Sequence, residues 1–131
     1  MKIFRGWNEK TYKAIAKNCG SRQLVRDVSA ENRLAFHGSD VYAERIDEAA
    51  IIFGYFRKDG TLRIMGLGTT IEARGKGLAA FLLERAFSEI VKRGGAYAET
   101  LSKDGVDYYQ RHGWEIVGCS PKNEFRLRKN L

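Results

Sequence analysis

The residues best suited to chemistry form a short glycine-rich segment, Arg-Gly-Lys-Gly-Leu-Ala, at positions 74–79. The sequence pattern predicts a strand over residues 61–68 before it and a long helix over residues 78–93 after it. Because its two glycines lack side chains, a ligand can approach the backbone at the first helical turn. The free N–H groups there, the helix dipole and the two cations of the segment favour a negatively charged ligand. This chemistry predicts a phosphate or pyrophosphate site.

Two nucleotide-binding motifs are similar to this segment but fit it poorly. The ATP-binding P-loop places four residues between its glycine and the Gly-Lys pair, whereas six separate Gly68 from Gly75, and Gly77 then follows the lysine. Gly75, Gly77 and Ala80 match the dinucleotide fingerprint Gly-x-Gly-x-x-Ala. Glu99 follows at about the sequence distance of its ribose-binding acid. That fingerprint directly follows its strand, however, and a polar turn intervenes here. Repeated βαβ units are also missing, so we disfavour both motifs.

A third pattern fits better. Arg74, Gly77 and Ala79 form Arg-x-x-Gly-x-Ala, which resembles the acyl-CoA signature Arg/Gln-x-x-Gly-x-Gly/Ala of the GNAT superfamily of N-acetyltransferases. Downstream, Tyr-Tyr-Gln-Arg-His-Gly-Trp at residues 108–114 resembles the family's aromatic-Tyr-x-x-x-Gly-aromatic segment. The two motifs occur in the family's order and spacing. With their neighbouring strands they cover the chain from about residue 50 to the C terminus.

The resemblance implies a single α+β domain over residues 1–131, with a GNAT-like mixed, mostly antiparallel sheet of six to seven strands flanked by three to four helices. It also implies acetyl-CoA as co-substrate. The pyrophosphate would lie on backbone N–H groups of the glycine-rich segment, and the pantetheine arm would pair with the preceding strand. The cofactor-binding residues predicted in this way are Leu67, Thr69, Arg74, Gly75, Lys76, Gly77, Leu78 and Ala79.

The reaction that the resemblance implies is direct attack of an amine on the thioester in a ternary complex, without a covalent acyl-enzyme. Tyr109 occupies the position that protonates the leaving sulfur in many family members; the alternative is a half-buried helix tyrosine. Many members carry a glutamate on the strand before the signature, but residues 61–68 contain no carboxylate. Glu99, on the following strand, is therefore our first candidate for relaying a proton through water. The alternative is an exposed strand carboxylate.

Other acidic and basic side chains are weaker candidates. Glu72 lies in the turn and can pair with the signature arginine, whereas Asp47, Glu48 and His37 belong to segments that would wall the acceptor pocket. The chain also departs from the family at Thr69, Ser102 and Gly105, where a branched apolar residue, an asparagine and an alanine are usual. These departures leave open a fold that binds the cofactor with poor turnover.

Charge and composition limit the remaining functions. The chain has 23 lysines and arginines against 16 acidic residues, a formal net charge of +7. The excess is spread along the chain, except for a basic tail at Lys122, Arg126, Arg128 and Lys129. Spread charge is typical of a solvated surface that here also attracts anionic coenzyme A. A nucleic-acid-binding or nucleic-acid-modifying protein built on the same fold is the alternative function.

The predicted partner is an amine acceptor, either a small molecule or a protein. No apolar run reaches membrane-spanning length, and the first residues lack a signal-peptide core, so we expect no membrane association. Cys19 and Cys119 show no metal-ligand spacing, so we expect reduced thiols, no metal and a cytoplasmic location. An exposed edge on a C-terminal strand offers a seam for a homodimer.

The remaining elements follow from periodicity and turn residues. Strands are predicted over residues 2–5, 41–46, 51–56, 96–100, 114–118 and 124–128, and further helices over 9–18, 29–36 and 104–111. Residues 22–28 show no clear period and receive no assignment.

Overall fold

A computed structural model describes residues 1–29 and 40–131. The strands are β1 (Ile3–Arg5), β2 (Val41–Ile46), β3 (Ala50–Phe56), β4 (Leu62–Thr69), β5 (Tyr97–Ser102), β6 (Glu115–Cys119) and β7 (Phe125–Asn130). They form one seven-stranded sheet in the order β1-β2-β3-β4-β5-β7-β6. Every neighbouring pair is antiparallel except β4 and β5, which run parallel. The mixed, mostly antiparallel sheet confirms the architecture predicted from the sequence.

Four α-helices occur within the described residues. They are α1 (Glu9–Ala16), α2 (Arg22–Ser29), α3 (Leu78–Lys92) and α4 (Val106–Arg111), and a short 3-10 helix covers Ile71–Ala73. The α1 helix begins at Asn8, whose side chain accepts a hydrogen bond from the backbone N–H of Thr11 at 3.0 Å. The α3 helix connects β4 to β5. These strands are parallel, and parallel neighbours need a long crossover connection, whereas antiparallel neighbours can be joined by a short turn.

The sheet separates two apolar cores. On one face, Leu82 and Ile90 of α3 pack with Ile52, Leu62 and Ile64 of the sheet. On the other face, α1 and α2 cover the sheet with a second set of buried residues, which includes Tyr12, Ile15, Leu24, Val28 and Phe53. Side chains alternate between these faces along each strand, so neighbouring residues of one strand contribute to different cores.

The parallel pair β4–β5 is short. Its register covers three residue pairs and ends at Ile64 and Thr100. The β4 strand continues to Thr69 in contact with β3, with an irregularity in the register that leaves Met65 without an opposing residue. Beyond Ile64, no described strand pairs with β4 on its β5 side, so the two strands part and open a gap in the sheet.

The structure corrects one assignment and leaves another outside its range. Residues 22–28 lie in α2, which the sequence analysis left unassigned. The helix is short, but Leu24 and Val28 are four residues apart and are both buried. Ser21 supports its first turn by accepting a hydrogen bond from the backbone of Leu24 at 3.2 Å. The helix predicted over residues 29–36 falls outside the described residues, apart from Ser29, which ends α2.

A buried carboxylate fastens α3 to the sheet. Glu44 on β2 is fully buried and accepts two hydrogen bonds from Arg85 of α3, at 2.9 and 2.8 Å. The hydroxyl of Tyr42 donates a third at 2.7 Å. Burial acts to raise the pKa of Glu44, but the hydrogen bonds from Arg85 and Tyr42 outweigh it and hold the pKa below its ordinary value.

We expect Glu44→Gln to lower the free energy of unfolding by about 2 kcal/mol at pH 7, because it breaks a buried, hydrogen-bonded ion pair. Since the pKa of Glu44 is lower in the folded state, its contribution is present above the unfolded pKa, near 4.5, and is lost as the pH falls through the folded value. Urea unfolding of both proteins at pH 7 and pH 3 measures this. The difference should narrow at pH 3; a difference that does not change with pH would contradict the assignment.

Candidate active site

A cleft of about 1020 Å³ lies where β4 and β5 part. Four parts of the chain line it: residues 65–69 at the end of β4, residues 73–75 and 77–80 around the start of α3, residues 100–105 at the end of β5 and directly after it, and residues 19–24, 26 and 27 from the end of α1 into α2. Tyr108, Tyr109 and His112 of α4 complete the described lining. The cleft therefore brings together the two motifs that the sequence analysis singled out.

The glycine-rich segment lies at the mouth of α3 with an open backbone. Gly75 and Gly77 have φ angles of +82° and +74°, in the left-handed region that other residues rarely adopt. A Cβ atom added to either glycine would meet no heavy atom within 4 Å. Backbone conformation, and not crowding, is thus the reason for glycine here. The space beside both residues is free for a ligand.

The N-terminus of α3 retains unused hydrogen-bond donors. Gly77 is the N-cap residue and supplies no side-chain cap, and the first bond of the helix runs from the N–H of Phe81 to the carbonyl of Gly77 at 3.0 Å. Within the described part of the chain, no group accepts a hydrogen bond from the backbone N–H groups of residues 75–80. These donors and the dipole of a 15-residue helix favour an anion at this position.

The two cations of the segment have different surroundings. Arg74 donates a hydrogen bond through Nη2 to the carbonyl of Cys19 at 2.7 Å. A second bond nearby, from the N–H of Ile71 to the carbonyl of Asn18 at 2.9 Å, also fastens this segment to the end of α1. Arg74 therefore lines the cleft and positions the segment. Lys76 is exposed beside it and is not part of the lining.

The free edge of β4 forms another side of the cleft. Leu67 and Thr69 both line it, on the stretch of β4 that has lost β5 as a neighbour. Backbone N–H and C=O groups on such an edge can pair with an extended ligand, as an added strand would. A long ligand with an anionic end can therefore extend from α3 towards Ile64 along this edge.

Tyr109 lies at the inner end of the cleft. Its side chain is buried against Trp114, with the ring centroids 5.0 Å apart, and its hydroxyl lies beside the side chain of Thr100. The Thr100 hydroxyl in turn donates to the carbonyl of Ile64 at 3.0 Å. Burial raises the pKa of Tyr109, and its interaction with Thr100 only partly opposes this. The phenol is therefore protonated at neutral pH and lies where β4 and β5 part.

Glu99 does not line the described cleft. Its neighbours Ala98 and Thr100 face α3, so Glu99 points to the opposite face of the sheet. Its carboxylate is buried and contacts Arg57 at 2.6 Å and Arg126 at 3.4 Å. This position gives no support to the prediction of a proton relay, because the carboxylate is already paired with arginines. The alternative of an exposed carboxylate is wrong.

Three other predicted candidates, Asp47, Glu48 and Glu72, also lie apart from the described cleft. Asp47 is in the turn between β2 and β3, where it accepts a hydrogen bond from the N–H of Lys2 at 3.0 Å. Glu48 follows it, Glu72 is exposed on the 3-10 helix, and none of the three is in the described lining. His37 lies outside the described residues. No predicted base candidate is thus placed beside Tyr109.

The sequence analysis missed several ionisable side chains of the cleft, including Asp27, Asp104 and His112. His112 lines it and packs on Tyr108, with 4.3 Å between the ring centroids. Its Nδ1 lies 2.7 Å from the carbonyl of Tyr108. His112 follows Tyr108 by four residues, directly after the helix predicted over residues 104–111, and this spacing was the available signal.

Residues 1–29 and 40–131 contain no group of three or more His, Cys, Asp or Glu side chains that could hold a metal ion. Among their helices, none has the length and apolar character needed to cross a membrane.

No protein-family profile and no curated protein matches the sequence. Solved structures do match it in fold. PaiA N-acetyltransferase from Thermoplasma acidophilum, in complex with coenzyme A, superposes with a TM-score of 0.76 at 14% identity over 100% of both chains. Aminoglycoside 6'-N-acetyltransferase from Enterococcus faecium gives 0.73 at 13% identity, over 99% of this chain and 97% of that one.

A protein assigned to the GNAT family of acetyltransferases, from Desulfovibrio desulfuricans, gives a TM-score of 0.77 at 12% identity over 98% of both chains. These likenesses extend over nearly the whole chain, far beyond the two motifs. The chain therefore has the fold of the GNAT acetyltransferases.

Proposed function

We propose that this protein is an acyl-CoA-dependent N-acetyltransferase that transfers the acetyl group of acetyl-CoA to a primary amine. One observation carries the proposal: a single cleft joins the uncapped N-terminus of α3 to the free edge of β4 and to the buried phenol of Tyr109. The relative from Thermoplasma acidophilum has the same fold and was crystallised with coenzyme A.

The described residues fit the co-substrate in two places. The orphan N–H groups of residues 75–80 are suited to its pyrophosphate, because they are donors at the positive end of a helix dipole. The β4 edge at Leu67 and Thr69 is suited to the pantetheine arm, which can pair with the backbone. A backbone N–H on the same edge can stabilise negative charge on the thioester oxygen. Arg74 contributes by fixing the segment, and Leu78 and Ala79 line its mouth.

The chemistry then needs two proton movements. Tyr109 donates a proton to the sulfur of the leaving thiolate. Because its pKa is raised, the phenol carries this proton at neutral pH. The attacking amine must be neutral, and a lysine-like amine of pKa near 10.4 requires about 4.6 kcal/mol for deprotonation at pH 7. In the described lining, the side chains that can accept a proton include Asp27, Asp104 and His112. We propose direct attack by the amine, with no covalent acyl-enzyme.

Two measurements test this function. Acetyl-CoA should raise the melting temperature of the protein, because a ligand that binds only the folded state stabilises it. Incubation with acetyl-CoA and a panel of primary amines should release free thiol in an amine-dependent way. A protein that is stabilised by acetyl-CoA but releases no thiol with any amine would be a cofactor-binding protein and not an acetyltransferase.

A nucleic-acid-binding protein on the same fold is the second candidate, favoured by the net charge of +7. It differs from the first in its dependence on the glycine-rich segment. Strong, salt-sensitive binding of RNA or DNA that persists in Gly77→Glu would favour this candidate, since phosphate contacts would then lie elsewhere. If Gly77→Glu loses acetyl-CoA binding but still binds nucleic acid, the nucleic-acid-binding candidate is not weakened.

A further inference from the structure

Four arginines surround Glu99 on the face of the sheet opposite α3. Arg57 follows β3, Arg63 is on β4, and Arg126 and Arg128 are on β7; we refer to these four residues as the arginine cluster. Arg63 and Arg128 are the direct cross-strand neighbours of Glu99 in the sheet register. Residues opposite one another on neighbouring strands share a face, so the cluster belongs to one surface.

The cluster has more positive charge than its contacts neutralise. Glu99 is 2.6 Å from Arg57, 3.4 Å from Arg126 and 3.9 Å from Arg63, so one carboxylate serves three guanidinium groups. The fourth, Arg128, lies 3.9 Å over the ring of Tyr97. Among the described residues, Glu99 is the one carboxylate in ion-pair contact with these four positive charges; Glu115, the cross-strand neighbour of Arg128 on β6, forms no ion pair there.

Two of these arginines also have unused hydrogen-bond capacity. The side chain of Arg63 is 17% exposed, and no described residue accepts a hydrogen bond from it within ordinary distance. The Nε of Arg128 is buried and has no acceptor in the described part of the chain. Removing guanidinium donors from water without acceptors is unfavourable. A bound anion would supply the missing acceptors, and paired oxygens suit the planar guanidinium group.

The arginine cluster lies next to the cleft but contributes no residue to its described lining. Arg63 directly precedes Ile64, at which the β4–β5 pairing ends, and Leu101, which lines the cleft, is the cross-strand neighbour of Arg126. Consecutive residues of a strand are about 3.3 Å apart, so the cluster begins within a few ångströms of the parting point. Tyr109 contacts Thr100 at that same point from the α3 side of the sheet.

We propose that the arginine cluster binds a carboxylate or phosphate group of the acceptor, so that the acceptor is a small amine that also bears an acid. The inference rests on the proposed acetyltransferase function and specifies its substrate class. Glu99 holds the guanidinium groups in place and leaves the cluster a net positive charge, which attracts an acidic group of the acceptor. A single compact cluster with a carboxylate at its centre suits one small anion better than an extended phosphate backbone.

Matched pairs of amines test the proposal. β-Alanine is compared with its neutral amide, and phosphoethanolamine with ethanolamine, each with acetyl-CoA in the thiol-release assay. We expect kcat/KM to be at least about tenfold higher for the acid-bearing member, as charge-assisted hydrogen bonds would give. The first pair reports on a carboxylate and the second on a phosphate.

Variants locate the effect. Arg126→Gln changes a side chain that is 48% exposed, so we expect it to fold, and the acid-to-neutral ratio of kcat/KM should fall about tenfold, mainly through KM. Arg63→Gln should act in the same direction. Lys92→Gln removes an exposed charge at the end of α3 and serves as the control with an unchanged ratio.

Two results would overturn the inference: neutral amines used as well as their acid-bearing partners, or a ratio that is the same in wild type and Arg126→Gln. Either result leaves the acetyltransferase function intact if thiol is released. Should no amine be acetylated, the proposed function fails, and calorimetric binding of the same pairs still decides the question. Tight binding of RNA in place of the acid-bearing amines would also refute the inference.

Discussion

Replacing Gly77 by glutamate should reduce the affinity for acetyl-CoA on the order of 100-fold and abolish the rise in melting temperature that the ligand causes. The added carboxylate would lie at the N-terminus of α3, where the proposed pyrophosphate meets orphan N–H groups. Two negative charges would then compete for the same donors. Isothermal titration calorimetry and thermal unfolding with and without ligand measure the effect.

The chain supplies a matched control at the other end of the same helix. Gly94 has a φ angle of +76°, and a Cβ atom there would also meet nothing within 4 Å. Gly94→Glu thus carries the same change in charge and a similar left-handed strain, on the order of 1–2 kcal/mol, but lies far from the uncapped N-terminus. It should lose stability without losing acetyl-CoA binding. If both variants bind the ligand as wild type does, the pyrophosphate does not lie on α3.

Replacing Tyr109 by phenylalanine should lower kcat by about 100-fold, in the range that positioned proton donors contribute, with little change in the affinity for acetyl-CoA. The phenol is buried beside Thr100 at the parting of β4 and β5, where the proposed thioester lies. Because burial raises the pKa of Tyr109, the group remains protonated from neutral to mildly alkaline pH. Its deprotonation should therefore not limit kcat below pH 10 in the wild type.

Tyr108 provides the comparison for this variant. It lines the same cleft, is half-buried and precedes Tyr109 directly, but its ring packs on His112. Tyr108→Phe removes the same hydroxyl group from a neighbouring position, and kcat should stay within a few-fold of wild type. Equal rates for wild type and Tyr109→Phe at saturating substrates would remove the phenol from the mechanism.

Glu99 shows that a position in the sequence does not fix the face of the sheet to which a side chain points. On β5 it is next to Thr100, which contacts Tyr109, yet adjacent strand residues face opposite sides of the sheet. The side that Glu99 faces holds the arginine cluster. Under our proposal, Glu99 positions the arginines that bind the acid group of the substrate, and it does not relay a proton.

The sequence by itself determined the glycine-rich segment, the strand before it and the long α3 after it. These features are local: left-handed glycines and apolar periodicity act over a few residues and need no distant partner. The order and spacing of the two motifs then indicated the fold. The resemblance that these motifs carry implied the α+β class and the mixed sheet.

Only the tertiary structure decided which side chains meet. Arg74 finds the carbonyl of Cys19 across 55 positions, Thr100 reaches Ile64 across 36, and Glu99 reaches Arg57 across 42. Such contacts depend on strand register and on the face that each residue takes, and a shift of one residue reverses that face. The short α2 likewise depends on burial against the sheet, because eight residues are too few to form a stable helix alone.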